Sequence, residues 1–480
     1  MKKKPITITK GALFLLFSKA YFMVTGYIIY VVLTRSLGPG LFGVYSIVIG
    51  VASTVSLVLI GGINQTTSKF ISEQVSLASG IKNASFRLQL IIGGLAFLAF
   101  LACAKLFSRL FNDRDLARYF LIISPMILFY SLYGVFVGYA NGLKQFKKQC
   151  VLEILYSTVK ALLIIAFVFM GFSLTGVVWG FVFSTFLALA IAIFIFGIGP
   201  AADKFPVSKI FKFEIWIIAY TAIINLLLNT DLFLLKALSD RSLANVYAGF
   251  YNAALTIARI PYLVIVPISY VVFPFISEFT HVKDNVKTKK YIRGSFRYCG
   301  IFLALSAVLI SANAKGIITL LYSQAYAPGA AALSIVIFGV VFLAMILVST
   351  TIISGGGLPG DSIKITGIIL IIDFVLNYLL VPRFNITGAA LATTIAMGIG
   401  LLISGSYLLK RFNAFLPALS LFRILLACVA VFFLSGLFRV SGILLTVKLA
   451  ALASVYLGIL VLLKELTVVF RPPFFIIRNE

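Results

Sequence analysis

Three cationic side chains inside long apolar stretches are the residues of this chain best suited to chemistry. Lys19, Lys160 and Arg259 each have apolar residues on both sides. Placing such a charge near the centre of a bilayer costs roughly 2.5–3.5 kcal/mol on insertion scales, so each one suggests a function. Arginine binds phosphate oxygens in a bidentate manner, and lysine supplies a mobile point charge. With Asn252, two helical turns before Arg259 on the same face, they predict a cationic cavity for an anionic substrate.

Acidic and amide side chains inside apolar stretches form a second group. Asp231 lies near the end of one stretch, and Asp373 and Asn377 share one face of a later helix. The pair Thr393–Thr394 follows in the next stretch. Oxygen atoms from neighbouring helices could hold Na⁺, or one carboxylate could take up H⁺. Asp231, Asp373, Asn377 and Thr394 are therefore the predicted cation-coupling residues.

Each of these residues also has a purely structural interpretation. Lys160 could form an ion pair with Glu153, two turns earlier on the same helix, and Asp231 could form one with Lys236. A second intramembrane lysine, Lys448, is close enough to a helix end to extend its amine to the membrane surface. The Asp and Asn of the later helix could simply share a packing hydrogen bond.

The composition places all these residues in a membrane protein. Of the 480 residues 61% are hydrophobic and 11% are charged, and the mean hydropathy is +1.12. This indicates an all-α polytopic membrane protein. The four cysteines form no CxxC pair and there is one histidine, so no metal cluster, disulfide framework or cofactor is predicted. The net charge of +26 reflects basic cytoplasmic loops rather than binding of nucleic acid.

About fourteen transmembrane helices are predicted when each span takes about 20 apolar residues. We number them spans 1 to 14, and their approximate limits are 11–33, 41–64, 86–106, 117–140, 150–171, 174–198, 213–236, 245–273, 295–313, 330–353, 362–382, 386–408, 418–438 and 443–467. With the N-terminus in the cytoplasm, the more basic loops also fall inside: Lys2, Lys3, Lys4, Lys10, Lys144, Lys147, Lys148, Lys204, Lys209, Lys212, Lys283, Lys287, Lys289, Lys290, Arg293 and Arg297. We therefore expect a multi-pass protein of the cytoplasmic membrane with both termini in the cytoplasm.

The sequence contains an internal repeat. Phe-Ile-Ser-Glu occurs at Phe70–Glu73 and at Phe275–Glu278, and a Val-Tyr pair precedes each copy, at Val44–Tyr45 and Val246–Tyr247. Both copies end an apolar stretch on the predicted cytoplasmic side, so the repeat is parallel. A fainter match pairs the Thr-Gly steps at positions 175–176 and 387–388.

The repeat predicts three regions: residues 1–199 as an N-terminal lobe of spans 1–6, residues 200–409 as a C-terminal lobe of spans 7–12, and residues 410–480 as two appended helices with a basic tail. Two parallel lobes around a central cavity are the architecture of transporters that open to alternate sides of the membrane.

Several segments resemble one known family. LTRSLGPGLFGVYSIVIG from Leu33, the long segment that begins DLFLLKALSD at Asp231, and NYLLVPRFNITGAALATTIA from Asn377 are similar to the polysaccharide-transporter family of lipid-linked oligosaccharide flippases. The resemblance implies a transporter, not an enzyme, that moves a polyprenyl-pyrophosphate-linked oligosaccharide within membrane lipid, alongside glycan-assembly proteins. The resemblance implies basic side chains on the facing first helices of each lobe, and Lys19 and Arg259 occupy comparable places.

The same superfamily supplies the alternatives. Lipid II flippases have a cation site of one Asp on helix 7 with Asp, Asn and Thr on helices 11 and 12, although the Asp-then-Asn order of Asp373 and Asn377 differs from theirs. Multidrug exporters usually carry an acid in helix 1, whereas span 1 carries Lys19 and no acid, which favours an anionic substrate. A membrane glycan polymerase or glycosyltransferase is a remote alternative, because the predicted external loops are short.

Overall fold

The computed structural model describes residues 8–199, 205–438, 440, 442–471 and 474–478. Lys2, Lys3, Lys4 and Lys204, on which the predicted orientation partly rests, lie outside these residues. The helices are α1 (Ile8–Glu73), α2 (Ala78–Leu110), α3 (Leu116–Ile123), α4 (Pro125–Gly142), α5 (Phe146–Phe167), α6 (Ser173–Phe196), α7 (Val207–Leu227), α8 (Thr230–Leu238), α9 (Ala244–His281), α10 (Asn285–Ala312), α11 (Ala314–Leu321), α12 (Ala330–Gly355), α13 (Pro359–Phe412), α14 (Ala418–Leu437) and α15 (Leu444–Leu462).

Short irregular segments complete the described fold. Val75–Leu77 and Gln324–Gly329 are 3₁₀-helical, and Val168–Phe172 is π-helical. Near the end of the chain β1 (Thr467–Arg471) and β2 (Phe474–Arg478) form an antiparallel pair.

Eleven stretches of the described chain are long and apolar enough to cross a membrane. The prediction of an all-α polytopic membrane protein is therefore confirmed. One of these stretches, Leu13–Glu73, has 61 residues and would be about 90 Å long if straight, three times the hydrocarbon thickness of about 30 Å. Gly38, with φ 68° and ψ 173°, breaks it just before Pro39. The number of about fourteen crossings stays a prediction.

Two further breaks repeat each other. Ser173 has φ 50° and ψ −140°, and Asn385 has φ 48° and ψ −122°. Each lies two residues before one of the matching Thr-Gly steps, 175–176 and 387–388. Both glycines lie against the preceding turn, because a Cβ on Gly388 would approach the Leu380 carbonyl oxygen to 2.3 Å and one on Gly176 the Phe172 Cβ to 2.7 Å. This shared turn supports the internal repeat.

The chain divides into two compact units. Unit 1 comprises Met1–Asn229 with Lys236–Gly249, and unit 2 comprises Thr230–Leu235 with Phe250–Glu480. This division records which segments pack together, whereas the lobe boundaries at 199/200 and 409/410 were inferred from the repeat, so those boundaries stay predictions.

Unit 1 is built around close contacts between α1 and α4. Gly134, Gly138 and Gly142 recur every four residues on one face of α4. A Cβ on Gly134 would lie 2.6 Å from the Cγ1 of Ile60, and one on Gly138 would lie 2.6 Å from the carbonyl oxygen of Asn64. Small residues at this spacing let membrane helices pack with their backbones close together.

Unit 2 holds its last two helices with a buried carboxylate. Glu465, just after α15, is 1% exposed. It forms ion pairs with Arg297 of α10 and, at 3.1 Å, with Arg423 of α14. These bonds fix the ends of α14 and α15 against α10.

Candidate functional site

In unit 1 a buried carboxylate binds the first of the predicted cations. Lys19 Nζ of α1 donates to Oε1 of Glu153 at 3.0 Å, and Ser18 Oγ donates to Oε2 at 2.7 Å. Gln149, one turn before Glu153 on α5, donates the third hydrogen bond to this carboxylate, at Oε1 and 3.1 Å. Glu153 is 7% exposed, whereas the Lys19 side chain is 64% exposed. The lysine is therefore held in place at one oxygen and remains accessible.

This arrangement continues as a chain of polar contacts through unit 1. Asn141 Nδ2 of α4 donates to Oε1 of Gln149 at 3.0 Å, and Ser68 Oγ of α1 donates to Oδ1 of Asn141 at 2.8 Å. The chain links both halves of α1 through α4 and α5. Hydrogen-bonded networks of this kind orient a buried charge.

Lys160 has a different environment. Its ammonium lies over three aromatic rings, 4.2 Å from the centroid of Phe22, 5.1 Å from that of Tyr156 and 6.0 Å from that of Phe181. The side chain is 6% exposed and, within the described part of the chain, forms no ion pair. The predicted alternative, a pair with Glu153, is absent because Glu153 binds Lys19. The ring faces attract a cation without neutralising its charge.

In unit 2 the first predicted coupling residue is fully engaged by donors. Asp231 of α8 is 3% exposed. Its Oδ2 accepts hydrogen bonds from the hydroxyl groups of Tyr251, at 2.7 Å, and Thr393, at 3.3 Å, and its Oδ1 accepts one from the backbone N–H of Leu232 at 2.7 Å. These contacts join α8, α9 and α13.

The second coupling pair lies beside it. Asp373 and Asn377 are both 0% exposed, and Asn377 Nδ2 donates to Oδ1 of Asp373 at 3.1 Å. The Asp373 and Asp231 carboxylates are close enough to repel each other, and the Thr393 hydroxyl donates to Asp231. Oδ2 of Asp373 and Oδ1 of Asn377 accept no hydrogen bond from any described residue. A pair of neighbouring acids with one unfilled carboxylate oxygen and one unfilled amide oxygen beside them is suited to a monovalent cation or a shared proton.

The sequence named Thr394 as the threonine of this cluster, and the structure places Thr393 there instead. The Thr394 hydroxyl donates to the carbonyl oxygens of Ala390, at 2.7 Å, and Ile335, at 3.1 Å. Successive residues of a helix point about 100° apart, so only one of the two can face Asp231. The sequence holds no signal that chooses between them.

The predicted cation of unit 2 lies near the same acids. Arg259 is partly buried and attracts the Asp231 carboxylate, while Asn252 is 6% exposed. The sequence analysis predicts the anion-binding and cation-binding residues as two separate groups. In unit 2 Arg259 of the first group lies near Asp231 of the second. Lys236, the alternative partner of Asp231, binds Asp113 at 3.1 Å instead.

Lys448 lies near a helix end, where its amine binds a backbone carbonyl. Its Nζ donates to the carbonyl oxygen of Ser435 at 2.9 Å, between the end of α14 and the start of α15. The extension of its amine to the membrane surface stays a prediction.

Comparison with known proteins gives one family match and partial matches to curated relatives. Residues 8–280 match a protein family described as "Polysaccharide biosynthesis protein". An uncharacterized membrane protein of Methanocaldococcus jannaschii is 31% identical over 150 residues, which is 31% of this chain and 29% of the relative. The capsular polysaccharide biosynthesis protein CapF of Staphylococcus aureus is 31% identical over 146 residues, 30% of this chain and 36% of the relative. The matched segment thus spans about a third of the length of these curated relatives.

Solved structures share the fold over nearly the whole chain. The lipid II flippase MurJ in an inward closed conformation matches with a TM-score of 0.79 and 18% identity, covering 95% of this chain and 98% of that one. An inward-facing multidrug resistance transporter of the MATE family, from the MOP superfamily, matches with a TM-score of 0.73 and 14% identity, covering 82% and 94%. These likenesses confirm the predicted fold class.

Proposed function

The chain belongs to the polysaccharide biosynthesis protein family, and from that premise we propose that it is a flippase for a lipid-linked oligosaccharide. It carries a polyprenyl-pyrophosphate-linked glycan across the cytoplasmic membrane for the synthesis of surface polysaccharide. It is an integral membrane transporter rather than an enzyme. Both termini lie in the cytoplasm, where proteins that assemble the glycan can deliver it.

The environment of Lys160 is the observation that carries this proposal. A buried cation with three aromatic neighbours and no carboxylate partner among the described residues needs a counter-charge from elsewhere. A pyrophosphate supplies it, and lysine and arginine both bind phosphate oxygens well. Lys19, Lys160 and Arg259 would hold the pyrophosphate, and Asn252 would help to orient it.

The carboxylate cluster of unit 2 would couple transport to an ion. Asp231, Asp373, Asn377 and Thr393 present buried oxygen atoms, two of which are unfilled. Uptake of Na⁺ or H⁺ there changes the charge that Arg259 faces, because Arg259 attracts Asp231. A change in cation occupancy would therefore change how strongly Arg259 binds an anionic substrate.

Alternating access is the mechanism that fits a parallel repeat. The two lobes would rock so that the cationic residues face first the cytoplasm and then the outside. The sugar and pyrophosphate would travel through the protein while the lipid tail stays in the bilayer.

The test is transport of defined substrates by the purified protein in liposomes. A fluorescent polyprenyl-pyrophosphate oligosaccharide is placed in one leaflet, and its appearance in the other is followed with a membrane-impermeant quencher. We expect Lys160→Gln to slow flipping roughly tenfold to a hundredfold, the effect of losing about 1.5–3 kcal/mol of charge-assisted binding. The control is Lys147→Gln, because Lys147 is an exposed lysine on the same helix.

Other substrates in the same assay separate the alternatives. Faster flipping of lipid II would assign the chain to the lipid II type, and efflux of a cationic drug without glycan flipping would assign it to the multidrug type. Growth of the glycan in the liposomes would show an enzyme. Unchanged glycan flipping in Lys160→Gln would contradict the role given to Lys160.

A further inference from the structure

A single buried acid in unit 1 has no place in the site described above. Glu214 lies on α7 within an apolar stretch that is long enough to cross the membrane, and it is 0% exposed. Neither of its carboxylate oxygens has a hydrogen-bond partner among the described residues. Every other buried carboxylate of unit 1 and unit 2 in the described chain has at least one such partner. Glu214 is therefore the exception to be explained.

The surroundings of this side chain are tight and apolar. A Cβ on Gly62 of α1 would lie 3.2 Å from Cγ of Glu214 and 2.8 Å from Cγ1 of Ile218, so only glycine fits there. Ile210, one turn before Glu214, belongs to an apolar cluster that includes Ile63. The carboxyl group is thus enclosed where α1 crosses α7.

Two threonines of α1 have engaged hydroxyl groups, and a glutamine of α2 is buried without a described partner. The Thr66 hydroxyl donates to the carbonyl oxygen of Gly62 at 2.8 Å, and the Thr67 hydroxyl donates to Ser85 at 3.0 Å. Gln89 of α2 is 0% exposed and, like Glu214, has no partner among the described residues. No described hydroxyl or amide stabilises a negative charge on Glu214.

The charged groups on these elements are committed elsewhere too. Lys69 of α1 lies over the Phe213 ring at 4.0 Å and 3.7 Å from Glu73. Lys82 of α2 donates to the carbonyl oxygens of Phe196, at 3.1 Å, and Gly197, at 2.7 Å.

On α7 itself the lysines at 209 and 212 are exposed, as is Arg87 of α2. None of these cations forms an ion pair with Glu214 in the described chain.

We propose that Glu214 is a proton-binding site: its carboxyl group holds a proton while α1 and α7 pack as they do here, and releases it when the group reaches water. An ionised, unpaired carboxylate is far more costly to bury in this position than a neutral carboxylic acid. A proton is favoured over a metal ion because hard cations need several oxygen ligands, and neither carboxylate oxygen of Glu214 has a hydrogen-bond partner among the described residues.

The site gives unit 1 an ion-binding residue of its own. If the proposed flippase function holds, proton release from Glu214 would accompany the separation of α1 and α7 during transport. The protonation itself does not depend on that function, and it is measured without any lipid-linked sugar.

Infrared spectroscopy of the protein in lipid membranes tests the proposal. The carbonyl stretch of a protonated carboxylic acid is distinct from that of a carboxylate, and ¹³C-labelled glutamate shifts the bands of glutamates only. The chain has six glutamates. We expect a protonated glutamate band in the labelled wild-type protein at neutral pH, and its loss in Glu214→Gln. The labelled wild-type protein gives the answer even if that variant does not fold, because the other buried glutamates, Glu153 and Glu465, form ion pairs and the aspartates do not carry the label.

Glu73→Gln is the matched control. It makes the same acid-to-amide change at an exposed glutamate of unit 1, and the protonated band should remain. Absence of any protonated glutamate band at neutral pH would overturn the proposal. So would loss of the band on adding Na⁺ at constant pH, because Glu214 would then be a sodium site. A failed flipping assay with the band present would instead count against the proposed function alone.

Discussion

Lys236 of α8 binds Asp113, which lies between α2 and α3, in a closed triangle of hydrogen bonds. Its Nζ donates to Oδ2 of Asp113 at 3.1 Å and to Oδ1 of Asn245 at 2.6 Å, and Nδ2 of Asn245 donates to the same Asp113 oxygen at 3.0 Å. The Lys236 side chain is 2% exposed and that of Asp113 is 14% exposed. All three residues belong to unit 1. The triangle therefore fixes the start of α9 against the loop that follows α2.

Removing one partner of this pair should destabilise the protein strongly. Lys236→Met leaves Asp113 buried without its counter-ion, which typically costs about 3–5 kcal/mol. Thermal unfolding of the purified protein, followed by a thiol-reactive dye or by circular dichroism, measures the effect. The double variant Lys236→Met/Asp113→Asn should recover part of the loss, because it removes the unpaired charge.

An exposed pair provides the control for this experiment. Lys287 forms an ion pair with Asp284 at 3.0 Å, with 67% and 28% of the two side chains exposed. Lys287→Met should cost less than about 1 kcal/mol, because water screens such pairs. Equal losses in the two lysine variants would contradict a special role for the buried pair.

The Asp113 carboxylate should make the stability of the protein depend on pH. Burial raises the pKa of Asp113, but the hydrogen bond from Asn245 and the attraction of Lys236 outweigh it and hold the pKa below its ordinary value of 3.8. An acid with a depressed folded-state pKa stabilises the protein above its unfolded pKa, and this stabilisation is lost as the pH falls through the folded value. We expect the difference in melting temperature between wild type and Asp113→Asn to be constant above about pH 5 and to shrink below about pH 4. A constant difference down to pH 3 would contradict this.

The coupling cluster makes a prediction about two adjacent threonines. Thr393→Val removes a hydroxyl that binds Asp231, whereas Thr394→Val removes one that binds only backbone carbonyls. If the cluster binds Na⁺, added NaCl should raise the melting temperature of the wild type relative to choline chloride, because a ligand that binds only the folded state stabilises it. Thr393→Val should weaken this sodium-specific shift, and Thr394→Val should leave it unchanged. If Thr394→Val weakened the sodium-specific shift and Thr393→Val did not, the site would be assigned to Thr394.

The sequence predicts the membrane fold, the repeat and the buried acids more readily than their partners. Apolar stretches, the repeated Phe-Ile-Ser-Glu and the Thr-Gly steps are local patterns, so they can be read directly from the chain. Partner choice depends on tertiary contacts between distant segments. Glu153 binds Lys19 from 134 residues away rather than Lys160 on its own helix. Nothing in the sequence around Asp113, which lies in a polar loop, indicates that it forms a buried ion pair.

Glu214 shows a related limit of sequence reasoning. An acid inside the apolar stretch of span 7 is visible in the sequence. Its lack of a hydrogen-bond partner in the described part of the chain and its fit against Gly62 are properties of the packed helices. An acid near the predicted end of a span can therefore be as deeply buried as one at its centre.

In unit 1 the backbones of α1 and the start of α9 approach each other closely at two glycines. A Cβ on Gly43 of α1 would lie 1.7 Å from the carbonyl oxygen of Asn245, and one on Gly249 of α9 would lie 2.0 Å from the carbonyl oxygen of Pro39. No side chain fits at either position unless α1 and α9 move apart. Gly43→Ala should therefore lower the melting temperature, by a free-energy cost of about 1–3 kcal/mol or more that is typical of overpacking.

Gly26→Ala tests whether the effect is steric. Gly26 lies on the same helix, and a Cβ there would meet nothing within 4 Å. Alanine favours a helix over glycine by about 0.5–1 kcal/mol, so this control should be neutral or stabilising. Equal destabilisation by both alanines would show that α1 simply requires glycine flexibility.

The Gly43 contact also bears on the buried ion pair, because Asn245 is the residue that binds both Lys236 and Asp113. Displacing the Asn245 backbone in Gly43→Ala should weaken the triangle and bring the Asp113 pKa back toward its ordinary value. The difference in melting temperature between the protein with Asp113 and the Asp113→Asn variant should then change less with pH when both proteins also carry Gly43→Ala. It should keep its full size in the Gly26→Ala background. An unchanged pH dependence in the Gly43→Ala background would show that the glycine crossing and the ion pair are independent of each other.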